Sequence, residues 1–153
     1  MSELKDRLRA DLTTAMKARD SLRTGTLRMV LTSITNAEVG GKEARELTDE
    51  DVISVLTTES KKRREAAEAF DAGNRPELAA QERDESAILA EYLPAQLDED
   101  EVRDIVTAAI ESTGSAGAGM KAMGAVMGVV QPQVKGRADG KAVAAEVKSQ
   151  LGA

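Results

Sequence analysis

The feature that most narrows the fold of this 153-residue chain is its lack of rings: Phe70 and Tyr92 are the only aromatic side chains. A core therefore has to be assembled from Leu, Ile, Val, Met and Ala. Sheets draw heavily on aromatic and β-branched residues. Alanine and the straight-chain aliphatics suit helices. Apolar residues recur at steps of three and four along most of the chain, which is the helical period. The expected fold class is all-α, in two helical units.

Other absences bound the chemistry. There is no cysteine and no histidine. The usual imidazole base and thiolate nucleophile are missing, and an ordinary zinc site is excluded. No disulfide can form, which fits a reducing cytoplasm. No apolar run approaches the roughly 18 residues of a membrane span, and the start from Met1 to Asp6 lacks the apolar core of a secretion signal. The sequence predicts a cytoplasmic protein with no membrane association, no metal and no cofactor.

Taken in order, the first helix is expected from Ser2, an N-cap candidate, with Leu4, Leu8, Leu12 and Met16 on one face. Lys5, Arg7, Arg9, Lys17, Arg19 and Arg23 share the outside with Asp6, Asp11 and Asp20, which reads as a solvated, ion-paired face. A second helix carries Leu22, Leu27, Val30, Leu31 and Ile34 and ends near Glu38. Arg23 and Arg28 are candidates for a functional surface, although helical ion pairs explain them as well. Gly40 suits a left-handed cap. Thr48 with Asp51 has the spacing of a capping box. The third helix contains the run from Lys61 to Arg64. Helical geometry spreads these four cations around the axis, where Glu59, Glu65 and Glu68 can neutralise them, which reads as a solvated, ion-paired face. Gly73 to Pro76 is a turn, and a fourth helix is expected from Pro76 to Leu93. Asp98 and Glu101 form a second capping-box spacing ahead of Val102, Ile105, Val106, Ala109 and Ile110. Ser112 to Gly119 is a small-residue linker, flexible by composition. The predicted division is 1–94, two helical hairpins making a four-helix unit, and 95–153, a three-helix unit.

Charge is distributed unevenly. The formal net charge is −6, which does not favour polyanions for the chain as a whole. From Met120 onward, however, Lys121, Lys135, Arg137, Lys141 and Lys148 stand against Asp139 and Glu146. That local balance of +3 leaves −9 for the remainder. In this stretch Met120, Met123, Met127, Val130 and Val134 keep a helical period, and Pro132 is expected to kink or stop the helix near Val130 or Gln131. Lys135, Gly136 and Arg137 then form a short cationic turn. Asp139 is an N-cap candidate, its carboxylate accepting from backbone N–H groups, and Val143, Val147 and Leu151 stripe a last helix.

The residues Met123-Gly124, Met127, Pro132 and the run from Val134 to Lys141 resemble the C-terminal signature of the GatB/YqeY family. So do Lys17 to Asp20 followed by Leu27, Arg28 and Ile34, and the run from Glu91 to Leu97. The chain resembles the small stand-alone YqeY-like proteins over nearly its whole length. The family's larger members are the B subunits of tRNA-dependent amidotransferases, in which a similar helical appendage touches the body of the tRNA. The resemblance implies an accessory module for tRNA or for a tRNA enzyme, with an amidotransferase or an aminoacyl-tRNA synthetase as partner. At family level it also implies a carbon–nitrogen ligase label with glutamine as amido donor. The portion of the large subunits that activates acyl-tRNA has no counterpart here, so no catalytic residue is assigned and transamidation by this chain alone is not expected. No Walker-type phosphate loop is present either.

Candidate nucleic-acid contacts are therefore Lys121, Lys135, Arg137, Lys141 and Lys148, with Gly136 and Gly140 allowing close backbone approach. Recognition would be of shape and phosphate, since almost no aromatic is available for stacking. The same residues also read as a structural turn, with Gly136 supplying an unusual backbone angle, Asp139 capping, and Lys135 and Arg137 solvated. An alternative function is a protein-interaction adaptor that presents Met120, Met123 and Met127.

Overall fold

The computed structural model describes residues 2–152. Among them secondary structure is helical throughout: α1 (Glu3–Lys17), α2 (Ser21–Val39), α3 (Asp49–Ala72), α4 (Pro76–Ala90), α5 (Glu99–Ser112), a 3-10 turn (Gly119–Ala122), α6 (Met123–Val134) and α7 (Gly140–Leu151). The all-α class follows from the sequence as expected. The chain divides into two compact units, 1–93 and 94–153.

In the first unit α1 pairs with α2 and α3 with α4. The core joins Leu8 of α1, Leu27, Val30 and Ile34 of α2, Val52 and Leu56 of α3, and Ile88 and Leu89 of α4, with Leu47 and Tyr92 sealing it. Both predicted capping boxes are present. Thr48 Oγ1 accepts from the Asp51 N–H at 3.2 Å while Asp51 accepts from the Thr48 N–H at 3.1 Å. Asp98 and Glu101 reciprocate at 2.8 and 3.0 Å, opening α5 in the second unit. Ser2 caps α1 through the Lys5 N–H, and Asp20 caps α2 through the Arg23 N–H.

Several local expectations are corrected. Gly40 ends α2 at φ −79°, an ordinary right-handed value, so no left-handed cap forms there. After α3, Gly73 stands just past the helix as its C-cap, and the left-handed residue of the turn is Asn74, φ 57°. Helix α4 stops at Ala90, short of the expected Leu93. The small-residue stretch after α5 is a series of hydrogen-bonded turns: Ser115 N–H reaches Ile110 O at 2.9 Å, the Thr113 and Ser115 hydroxyls meet at 2.6 Å, and Ser115 is buried. Lys5, assigned to the solvated face, is buried instead, its Nζ 2.6 and 2.8 Å from the Glu38 carboxylate.

That Lys5–Glu38 pair belongs to a corner of carboxylates that makes the first unit acid-sensitive. The Lys5 ammonium, then the Leu47 N–H, hold Glu38 below the usual carboxylate range. The Ser2 hydroxyl and the Leu4 N–H do the same for Asp49. Arg45, followed by Thr48, depresses Asp51 to about 2. Each folded-state value lies below the unfolded one. The stabilisation is therefore complete above the unfolded value of about 4 and is lost as pH falls through the folded values. We expect the urea midpoint of the first unit to decline steadily between pH 5 and about 2, and Asp51→Asn to flatten that decline. A midpoint independent of pH across this window would contradict the assignment.

In the second unit α5, α6 and α7 pack against one another. The core is almost wholly aliphatic: Val102, Val106 and Ile110 from α5, Val126, Val130 and Val134 from α6, and Val143, Val147 and Leu151 from α7. Each set follows the i, i+4 stripe expected of one helix face.

Candidate nucleic-acid interface

The cationic stretch is built on α6, a helix without a single charged residue. Val126, Val130 and Val134 face the core, and Met123 and Met127 pack partly buried beside them. Met120 lies on the 3-10 turn ahead of α6 and is 47% exposed. The three methionines expected on one helical face are thus distributed between core and surface, and only Met120 presents an open thioether.

Pro132 does not end α6. Of the kink or stop expected near Val130 or Gln131, the stop does not occur, and the helix continues through the ring to Val134. The ring costs the bond that its N–H would have given Gly128, but both residues lie on the exposed side, where water can serve the freed carbonyl. The chain turns only after the Lys135 N–H has bonded Gln131 O at 3.0 Å.

The turn itself is tied down. Gly136 has φ 72°, a left-handed value at which a side chain would be strained. Its carbonyl accepts from Gln96 Nε2 at 2.8 Å. Arg137 O accepts from the Leu97 N–H at 2.8 Å. The Arg137 guanidinium donates from Nε to Ala95 O at 3.0 Å and from Nη1 to Gln133 O at 3.4 Å. Arg137 is therefore half-buried and occupied by backbone carbonyls, and Gly136 is buried. Gly136 supplies the unusual backbone angle that the structural-turn reading expects, whereas Arg137 is held by carbonyls rather than solvated. Asp139 occupies the N-cap position of α7, yet its carboxylate makes no capping hydrogen bond, contrary to expectation. Gly140 begins α7 on the surface with no atom within 4 Å of where a Cβ would stand.

The lysines lie differently. Lys121, Lys135, Lys141 and Lys148 are all exposed. Lys141 and Lys148 are seven residues apart on α7, so they share an azimuth to within about 20° and are about 10 Å apart along the axis. That stripe lies opposite Val143 and Val147. The only carboxylate within α7, Glu146, turns toward α5, where Gln150 Nε2 donates to it at 2.8 Å and Arg103 Nε approaches to 3.8 Å. Gln150 also donates to Arg103 O at 3.1 Å. From Ser112 to Ala138 the chain has no acidic residue. Among the described residues no carboxylate lies within 4 Å of Lys121, Lys141 or Lys148. The acids of this unit are concentrated on α5, with Glu99, Asp100, Glu101, Asp104 and Glu111, while Lys121 lies on the 3-10 turn and Lys141 and Lys148 on α7.

Sequence reasoning missed Gln96, whose amide fastens the Gly136 turn. It also missed the Arg103–Glu146–Gln150 group that draws the acid of α7 away from its lysines. Only the spacing of Arg103 and Thr107 along α5, and of Glu146 and Gln150 along α7, marked them as surface rows, and spacing cannot say which rows meet. Elsewhere, no group of three or more Asp or Glu among the described residues is arranged to hold a metal. No described helix is long and apolar enough to cross a membrane.

Comparison with known proteins agrees with the architecture. A family model described as "Yqey-like protein" matches residues 5–151. A protein of Pyrenophora tritici-repentis named "Altered inheritance of mitochondria protein 41, mitochondrial" is 30% identical over 151 residues, covering 96% of this chain and 80% of the relative. A protein of the same name from Lachancea thermotolerans is 38% identical over 88 residues, covering 56% of this chain and 46% of that relative. A match that runs through both helical units, on top of the all-helical architecture, makes this chain a member of the YqeY-like family.

Proposed function

We propose that the chain is a non-catalytic accessory module that binds tRNA through the lysine-bearing side of its second unit. Lys121, Lys141 and Lys148, joined by Lys135, contact phosphates. Arg137 and Gly136 hold the turn rather than touching the RNA. The observation that carries this reading is the acid-free stretch from Ser112 to Ala138 continued by a face of α7 whose one carboxylate is engaged elsewhere. Lys141 adds to it. It stands in the first turn of α7, where the helix dipole favours an acid over a cation. A residue that opposes its local preference points to use in binding. The likeness to the amidotransferase appendage supports tRNA as the polyanion and an amidotransferase or aminoacyl-tRNA synthetase as the protein partner. The lack of cysteine suits action in a reducing compartment such as the cytoplasm.

Binding to unfractionated tRNA, followed at graded KCl, tests the proposal. Four phosphate contacts should weaken affinity by about 100-fold between 50 and 200 mM salt. Absence of binding at 50 mM salt would refute it.

A further inference from the structure

We propose that the hollow where α1 hands over to α2 binds the phosphate group of a small phosphate monoester, held between Arg19 and Arg28. This goes beyond the tRNA reading and uses residues of the other unit only. The hollow is lined by Met16, Arg19, Ser21, Thr24 and Arg28 and measures about 260 Å³. Sites for drug-sized ligands start at roughly 300 Å³; this one suits a phosphate and the first atoms of its ester.

The lining holds two guanidinium groups and two hydroxyls and no carboxylate. In this unit Arg7, Arg23, Arg45, Arg63 and Arg83 each have a carboxylate within 4.0 Å. Among the described residues Arg19 and Arg28 have none, nor do Arg9 and Arg75, but only Arg19 and Arg28 share one hollow. The Arg28 guanidinium donates to the Met16 thioether, 3.7 Å from Nη2, and sulfur accepts weakly. The nearby Asp20 carboxylate is engaged by Arg23, at 3.1 Å from its backbone N–H and 3.8 Å from its Nε. The hydroxyls are similarly unspent. Thr26, Thr32 and Thr35 of α2 each donate to the carbonyl four residues back, whereas neither Ser21 nor Thr24 has a described side-chain partner. Two planar forks and two hydroxyls, with the weak Met16 thioether as the one internal acceptor among the described residues, match the oxygens of a phosphate, which arginine can grip in bidentate fashion.

The backbone agrees. Helix α1 ends in a Schellman arrangement, with Asp20 N–H on Ala15 O at 3.0 Å and Arg19 N–H on Met16 O at 3.2 Å. Arg19 takes the left-handed position at φ 57°. The equivalent positions after α3 and α5 are Asn74 and Gly114, residues that accept this conformation readily. An arginine is the costly choice there, and its side chain lines the hollow.

The test is a titration of the full-length protein with inorganic phosphate at constant ionic strength, read by the backbone amide NMR signals of residues 19–28. Wild type should give saturable shifts. Arg28→Gln should weaken binding about tenfold, the loss of one charge-assisted contact. Arg19→Gly is the decisive variant, since it should raise the melting temperature by about 2 °C or more through relief of the left-handed strain while abolishing the phosphate response. A phosphate response in Arg19→Gly equal to wild type would overturn the proposal, as would shifts that never saturate. So would a response to phosphatidic-acid vesicles or to tRNA with none to inorganic phosphate, because the occupant would then be a membrane or an RNA.

Discussion

Replacement of Arg63 by leucine is expected to destabilise the first unit by about 3–5 kcal/mol, the range for stranding buried charge. The third cation of the run from Lys61 to Arg64 points inward, with only 10% of its side chain exposed. Its Nη1 lies 3.0 Å from Glu59 Oε2 and its Nε 3.5 Å from Glu85 Oε2, the latter without hydrogen-bond geometry. The two carboxylates are themselves 9% and 15% exposed. Glu59 retains the Ser33 hydroxyl at 3.1 Å and Lys62 at 3.3 Å, but Lys62 is 62% exposed and can offer only a screened charge. Burial and the charge of Glu85 already raise neighbouring Glu82 above its ordinary value, so the site has little capacity for further uncompensated acid. Leucine would fill part of the volume and leave both carboxylates without their shared cation. A second substitution, Glu59→Gln, should recover part of the loss, because the stranded charge rather than the missing packing is the larger effect. Urea denaturation of the three proteins checks this. A loss below about 1 kcal/mol for Arg63→Leu, the size of an exposed pair, would show that the group is solvated after all.

Arg63 also marks how far the sequence could be read. A 3.6-residue period and the capping boxes at Thr48 and Asp98 place most helices within a few residues, because those signals are local. The run of four cations is spread around the axis and ion-paired as expected, with Lys61 4.0 Å from Glu65 and Lys62 beside Glu59, but the burial of Arg63 corrects the expected solvated face. Which of the four turns inward is a property of the helices opposite, and nothing in the run encodes it. Lys5 illustrates the same limit, since its burial depends on Glu38, 33 positions away. Local reading fails differently at Pro132. The rule that proline ends a helix assumes that the lost hydrogen bond matters, and on an exposed face with one turn left it does not. In the candidate interface, sequence marked the charged residues but not which of them the fold ties down. Arg137 and Lys135 look alike as neighbours of Gly136. Only the approach of Ala95 and Gln96 from 40 residues upstream makes Arg137 part of the scaffold.

That division supplies the sharper test of the RNA reading. Reversing Lys121, Lys141 and Lys148 to glutamate should lower tRNA affinity at 50 mM salt by at least about 100-fold and reduce the salt slope by about 3, one unit per phosphate contact. Stability should hardly change, since all three side chains are exposed. Lys141→Glu places an acid in the first turn of α7 and gains a few tenths of a kcal/mol from the helix dipole. Lys148→Glu places one in the last turn and loses a similar amount. Arg137→Gln should behave in the opposite way. It removes the donors to Ala95 O and Gln133 O, and their loss should cost the second unit about 1–3 kcal/mol. Its salt slope, measured on the folded fraction, should stay at the wild-type value. Lysine at 137 should not restore stability, because an ammonium cannot span two carbonyls as the planar guanidinium does. If instead Arg137→Gln left stability intact and lowered the salt slope, while the lysine reversals left it unchanged, the phosphate contacts would belong to the turn and the assignment of α7 would be wrong.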